Sequence, residues 1–160
     1  MRDALIRWFP GLSETSFQET SPATWAYNCI AWAAGDASKW WWPDSPFGRP
    51  GDEPCSFWPL DDRSDETVGA FVQAFATLGY GPCEQPGLEP GFEKIALYSI
   101  NGRCKHAARQ LEDGRWTSKL GRAEDISHEL HALEGDLYGV VTRIMRRPRP
   151  ISVGARTIAV

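Results

Sequence analysis

The sequence predicts an α+β fold, N-terminal helices packed on an antiparallel sheet, and three observations carry that expectation. Through residues 65–78 the apolar residues recur at helical spacing, with Val68, Phe71, Val72, Phe75 and Leu78 on one face. Beyond residue 93 they fall into short runs separated by Asn101-Gly102 and Glu112-Asp113-Gly114, both hairpin signals. The helical segments precede the strands instead of alternating with them, which is the α+β order and not that of a parallel βαβ sheet.

Residues 1–24 read as irregular, with one turn of helix at 3–8. The apolar stretch 25–34, WAYNCIAWAA, reads as a helix closed by Gly35-Asp36. Its start has two solutions: Ser21 as N-cap with Pro22 at the first helical position, or Asn28 as N-cap with Cys29 in the first turn. Residues 36–63 hold Lys39-Trp40-Trp41-Trp42-Pro43 and a run of prolines and glycines, a long loop of the kind that serves as a lid or binding loop. The alternative is that the three tryptophans roof the core. Ser64 opens the helix 65–78, Asp65 and Glu66 stand where the helix dipole favours acids, and Gly79 closes it. That helix is expected to pack on residues 95–100. Residues 93–100 are apolar on both faces, as in a central strand. Strands follow at 105–111 and 115–120, then a helix at 124–133 and a last strand at 138–146. Residues 151–160 are either a mobile arm or a short edge strand.

A chain of 160 residues is one domain's worth, divided as an N-terminal segment 1–24, a domain 25–146 and a tail 147–160. With 42% hydrophobic and 24% charged residues, disorder of the whole chain is excluded. Its apolar runs fall far short of the ~18 residues of a membrane span. A net charge of −4 argues against a general nucleic-acid partner. The N-terminus carries no signal-peptide pattern, which points to the cytoplasm, although a signal-independent export route would leave the same sequence. Cys29, Cys55, Cys83 and Cys104 include no C-x-x-C and read as free thiols in a reducing compartment, with paired disulfides the alternative. Cys104 and His106 form half of a metal-site spacing without a second half, so neither metal nor other cofactor is expected.

A Cys on an early helix and a His on a later strand are the two parts of a thiol nucleophile system. A helix N-terminus and a neighbouring imidazolium both favour the thiolate. Cys29 behind an Asn28 cap meets the first requirement and His106 supplies the second. In order and context, Tyr27-Asn28-Cys29-Ile30-Ala31-Trp32 resembles the nucleophile helix of papain-like cysteine hydrolases, in particular the NlpC-like amidases and peptidases. Lys105-His106-Ala107-Ala108-Arg109-Gln110-Leu111 resembles the His strand of that superfamily, and Trp116-Thr117-Ser118-Lys119-Leu120-Gly121 the strand that follows it. A downstream helix bearing His, here Asp125-Ile126-Ser127-His128, resembles uncharacterised bacterial members of that group. The resemblance covers roughly residues 25–145 and implies a Cys-His pair with a third, orienting residue. Ser118 stands where the family usually has His, Asn, Gln or Asp.

A three-residue loop at 112–114, with Gly114 left-handed, pairs Leu111 with Arg115 and places Ser118 diagonally from His106 on one face. A two-residue turn would instead put Thr117 and Lys119 on that face. The first register is preferred. Lys119 reads as a surface lysine, His128 and His131 as solvated or cap-related, Glu124 and Asp125 as first-turn acids, Gln110 as a structural hydrogen-bonder, and Trp25 and Trp32 as core. Tyr27, Asn28 and the Cys29 N–H are the oxyanion-hole candidates, and Trp40, Trp41 and Trp42 border the substrate cleft. The expected activity is acyl transfer to Cys29 from a peptide, amide or ester substrate, or from another protein, with no nucleic-acid or membrane partner. The rival is an interaction module that uses the same fold and keeps Cys29 for packing.

Overall fold

The structure is a computed structural model that describes residues 2–43, 57–120, 123–149, 151–153 and 156–158. Cys55 and most of the proline-rich part of the 36–63 loop lie outside the described residues. Helix α1 spans Arg2–Trp8, α2 Cys29–Ala34 and α3 Val68–Ala76. Strands β1 (Gln18–Ser21), β2 (Gly81–Cys83), β3 (Phe92–Ile100), β4 (Arg103–Gln110), β5 (Trp116–Lys119), β6 (Asp125–His128) and β7 (Val140–Pro148) form one antiparallel sheet in the order β1-β6-β5-β4-β3-β7-β2. Strands β8 (Ile151–Val153) and β9 (Arg156–Ile158) pair with each other in a separate two-stranded hairpin, where a mobile arm or a single edge strand is expected from the sequence. The protein is therefore α+β.

Central β3 is buried along most of its length, and its alternation feeds two cores. Ile95 and Leu97 join Ala107 of β4, α2, α3, Trp41 and Trp58 on one face. Ala96 and Tyr98 join Ala108, Trp116 and Ile126 under Leu5, Phe9, Leu12 and Phe17 on the other. The N-terminal segment thus supplies α1, four residues of one core and the edge strand β1, where the sequence predicts irregular chain with one turn of helix at 3–8. Its strand, QETS, is polar and exposed, so no apolar alternation announces it. Strand β2 contains Pro82, tolerated because β2 is an edge.

Two expected helices are corrected. Helix α3 starts at Val68, with the Thr67 hydroxyl capping the Ala70 N–H at 3.3 Å. Ser64 cannot open it: its N–H and hydroxyl both donate to Asp62 Oδ1, and residues 66–68 are tied to the β4 start by Cys104 N–H to Glu66 O and Val68 N–H to Gly102 O. Its apolar face is as expected, with Val68, Phe71 and Phe75 buried and Val72 and Leu78 partly so. Residues 124–133 are not a helix. They form β6, paired with β1 and β5, then a 3₁₀ turn at Leu130–Leu133. Two flanking strands satisfy the β6 backbone, which a helix this short would have to do alone.

The turns set the register. Asn101 and Gly102 both have positive φ, 51° and 80°, as a two-residue hairpin requires. At the next turn Gly114 has φ 89°, Leu111 N–H donates to Arg115 O at 2.7 Å, and Arg109 faces Thr117. This is the three-residue loop. A bulge leaves Lys105 between the pairs Tyr98–His106 and Ser99–Cys104, beside the residue of greatest interest. Among the described residues, no helix is long and apolar enough to cross a membrane.

Candidate active site

Asn28 decides where α2 begins. Its Oδ1 accepts from the Ala31 N–H at 3.1 Å and from the Trp41 N–H at 3.1 Å, and its Nδ2 donates to the Trp41 carbonyl at 2.9 Å. The helix therefore starts at Cys29, the second of the two solutions, and Gly35 closes it in the left-handed region. The backbone N–H dipoles of Ala107 on β4, of Ile30 and of Cys29 itself pull the thiol pKa down. Burial nevertheless pushes the thiol up to about 11, against the pull of those donors and of the Lys119 charge.

Ala107 follows His106 directly. Strands β4 and β5 pair at Arg109–Thr117 and Gln110–Trp116. Before Arg109 on β4 they part, and there the Ala107 N–H dipole acts on the thiol. The thiol reaches this peptide from the α2 face. His106 reaches it from the other face, that of Tyr98 and Ala108. The thiol and imidazole so flank one peptide unit where the sheet opens.

His106 is fully buried, stacked on Tyr138 with ring centroids 4.0 Å apart and 4° between planes, and edge-on to Tyr98 at 5.2 Å. Gly139 makes that roof possible: its φ is +74°, and a Cβ there would lie 1.9 Å from the Ser99 carbonyl oxygen. His106 Nε2 is 2.9 Å from Ser118 Oγ, Ser118 Oγ is 2.7 Å from His128 Nε2, and His128 Nδ1 is 2.7 Å from the Glu129 carbonyl oxygen. The carbonyl can only accept, so His128 Nδ1 carries a proton and donates. With both imidazoles neutral, His128 Nε2 then accepts from the Ser118 hydroxyl, and Ser118 Oγ accepts from His106 Nε2–H. That leaves the His106 Nδ1 lone pair bare. Among the described residues, the buried Nδ1 has no hydrogen-bond partner. Burial pushes His106 well below its ordinary value, helped by the charge of His128, and burial brings His128 down to about 4. Both rings are neutral at neutral pH, as the chain of donors requires.

Residues 18–146 match a family described as a domain of unknown function (DUF7689). The chain belongs to that family. A search of curated proteins gives no match, and a search of solved structures gives none. The matched stretch of this DUF7689 protein opens on the first residue of β1 and closes inside β7, so it takes in all the residues of the site.

Four residues assigned bland roles are buried in or beside the site instead. His128 is a buried strand residue, not a solvated helical one, and holds the far end of the chain through Ser118. Lys119 is fully buried, not on the surface: its Nζ donates to the Ala123 carbonyl and lies 5.5 Å from the centre of the Tyr27 ring. Asp125 and Glu124 are buried residues of the β5–β6 turn region, not first-turn acids. His131 is exposed and pairs with Glu134 at 3.0 Å.

The other candidates are held by structural bonds. Tyr27 donates its hydroxyl to Asp125 Oδ2 at 2.5 Å, and burial with that bond pushes the phenol up to about 12, so its proton is engaged away from an oxyanion. The Asn28 amide is the loop anchor described above. Gln110 Nε2 donates to the Pro86 carbonyl at 2.8 Å. Trp41 is buried with its N–H on Asp36, and Trp42 packs its ring on Phe71 with its N–H on Glu66, so these two roof the core. Trp40 donates to the Trp25 carbonyl at 2.6 Å. Trp25 is 63% exposed, not core, because the helix starts after it. Trp32 donates to Thr117 Oγ1 at 3.0 Å, on the α2 face. Cys104 lies in the α2-face core, with its sulfur 3.7 Å from the His106 carbonyl oxygen.

Proposed function

We propose that this DUF7689 domain is a thiol hydrolase acting on an amide or ester, with Cys29 as nucleophile, His106 as base and Ser118, backed by His128, as the group that orients the imidazole. One observation carries the reading. The hydrogen-bond chain ending on the Glu129 carbonyl fixes the tautomer of His106 and leaves Nδ1 bare, at the strand position next to the N–H whose dipole acts on the Cys29 thiol. The order of parts, a Cys opening a helix, a His on a following strand and a polar residue on the next, supports membership of the papain-like superfamily in its NlpC-like branch.

With the thiol raised and the imidazole lowered, the resting pair is neutral. Proton transfer therefore accompanies attack. The S–H proton passes to His106 Nδ1 as sulfur bonds to the carbonyl carbon. His106 then gives that proton to the departing nitrogen or oxygen as its bond to carbon breaks. Water, deprotonated by His106, attacks the thioester, and sulfur leaves to recover the proton. A second reading, an interaction module with an inert Cys29, is favoured by the near-complete burial of that residue.

A peptide vinyl sulfone separates the two. The hydrolase reading expects covalent modification at Cys29, slowed by about 10²–10⁴ in His106→Ala, the range for loss of a positioned base. Modification of Cys29 at the same rate in both proteins, or none in the parent, favours the module.

A further inference from the structure

Arg109 lies on β4 two residues beyond Ala107, so alternation returns its side chain to the α2 face. There its guanidinium lies 5.2 Å from the centre of the Trp32 ring, which is stacked on Tyr27 at 5.3 Å. Helix α2 packs on β4, and Cys29 and Ala107 share one core. Trp32 stands one helical turn beyond Cys29, as Arg109 stands two strand residues beyond Ala107. The Trp32–Arg109 contact is therefore displaced from the Cys29 end by roughly 5–7 Å along both elements, one to two residues of an extended chain. A half-buried cation is costly without a countercharge. Yet among the described residues no carboxylate and no hydrogen-bond acceptor meets the Arg109 side chain. Its Nε is sealed from solvent without a partner, while the two Nη groups are not sealed. The carboxylates at this end of the sheet are engaged elsewhere: Glu93 pairs with Arg147 and, at 3.7 Å, with Arg149, and Glu112 lies 3.8 Å from Arg149. The Tyr80 hydroxyl, in the core that holds Ile95, the cross-strand neighbour of Arg109, is another buried donor without an acceptor among the described residues.

From this placement we infer that Arg109 is a specificity-determining residue that takes a carboxylate of the substrate, so that the enzyme acts on amides or esters bearing an acidic group next to the bond it breaks. The inference deepens the hydrolase reading and rests on Cys29 being its nucleophile. A guanidinium takes a carboxylate through two parallel hydrogen bonds, side-on through Nε–H and one Nη–H. That fork is the pair of donors left open here, a buried Nε beside an Nη that reaches solvent. Contact with the Trp32 ring holds the guanidinium in place without consuming an N–H. One guanidinium carries one charge, which a carboxylate neutralises and a phosphate dianion exceeds. An acidic side chain and a chain-terminal carboxylate offer the same chemistry to this fork.

The test reads carboxylate occupancy at Arg109, not turnover. Phenylglyoxal modification of Arg109 is followed by mass spectrometry of its peptide in the parent protein, with acetyl-glutamic acid α-amide, acetyl-alanine or acetyl-glutamine amide as protecting ligand. The inference expects modification without ligand. It expects that rate to fall about tenfold with acetyl-glutamic acid α-amide or acetyl-alanine at a concentration about tenfold above its Kd. Acetyl-glutamine amide, which lacks the charge, should not slow it. The first two ligands tell a side-chain carboxylate from a terminal one. Slowing by neither of them, equal slowing by the glutamine amide, or an Arg109 that phenylglyoxal does not reach overturns the inference. The protecting ligand should also raise the melting temperature of the parent and not that of Arg109→Gln. An equal rise in the folded variant overturns the inference, and if the variant does not fold the protection measurement decides. Failure of the hydrolase reading shows separately, as absence of vinyl sulfone modification with the protection of Arg109 intact.

Discussion

The two faces of the sheet at the β4–β5 opening solve the problem of buried polarity differently. On the face of Tyr98, His106, Ser118 and His128 are neutral and each proton has a direction, set by the one carbonyl that ends the chain. On the α2 face, Lys119 lies 5.5 Å from the centre of the Tyr27 ring and Tyr27 donates to Asp125, while among the described residues two buried carboxylate oxygens, Asp125 Oδ1 and Glu124 Oε2, have no hydrogen-bond partner. The first face fixes a tautomer and the second sets a potential. A base needs a defined lone pair and a nucleophile needs its charge tolerated, so the division follows the two halves of the proposed chemistry.

The comparison is broken most severely at Gly139. Its φ of +74° and the 1.9 Å that would separate an added Cβ from the Ser99 carbonyl oxygen mean that Gly139→Ala must displace the turn that lays Tyr138 on His106. A loss of about 3 kcal/mol is expected in urea denaturation, the upper end for a strained backbone position. Parent-like stability would mean that the roof over His106 is soft.

Protonation is the next largest lever, and it acts on one face. A histidine held neutral by burial has a folded pKa below its unfolded one. Its contribution is present above the unfolded value and is lost as pH falls towards the folded one. For His128, from 6.5 unfolded to about 4 folded, the protein should lose about 3 kcal/mol on going from pH 7 to pH 4, and His106 adds to the loss in the same direction. Thermal melts along that range in the parent and in His128→Gln check this. The variant should show a shallower decline, and an unchanged slope would place the titration elsewhere.

Neighbouring residues of β5 give the finest contrast. Ser118→Ala leaves the His106 Nε2–H and His128 Nε2 without partners, which should cost about 1–3 kcal/mol and slow vinyl sulfone modification about tenfold, as removal of an imidazole's orienting partner does. Thr117→Ala removes only the acceptor for Trp32 on the other face, about 1 kcal/mol, with no change in modification rate. Equal effects on rate would erase the division between the faces.

Local chemistry made part of this legible. Glu112-Asp113-Gly114 specifies a left-handed glycine, and that loop alone fixes which of Thr117 and Ser118 shares a face with His106. Asn28 before an apolar run specifies a cap, although Ser21-Pro22 offered another until the Trp41 backbone, thirteen residues away, took up the same amide. What escaped was decided by tertiary pairing. Residues 124–133 hold good helix formers, but β1 and β5 flank them, and β1 is too polar to be seen. A helix over 124–133 leaves His128 as the next candidate after Ser118 for the third member, but it hides the register that sets Asp125 opposite Lys119. The burial of Lys119 follows from β5 being interior to the sheet, which no local pattern around Trp116-Thr117-Ser118-Lys119 records.

The central claim is that the hydrogen-bond chain through Ser118 and His128 leaves His106 Nδ1 without a proton. Long-range ¹H–¹⁵N correlation spectra of the imidazole rings read the tautomer directly. At neutral pH, His106 should be neutral with its proton on Nε2, and His128 should be neutral with its proton on Nδ1. A proton on His106 Nδ1, or a doubly protonated ring, would reverse the direction of the chain and contradict the account.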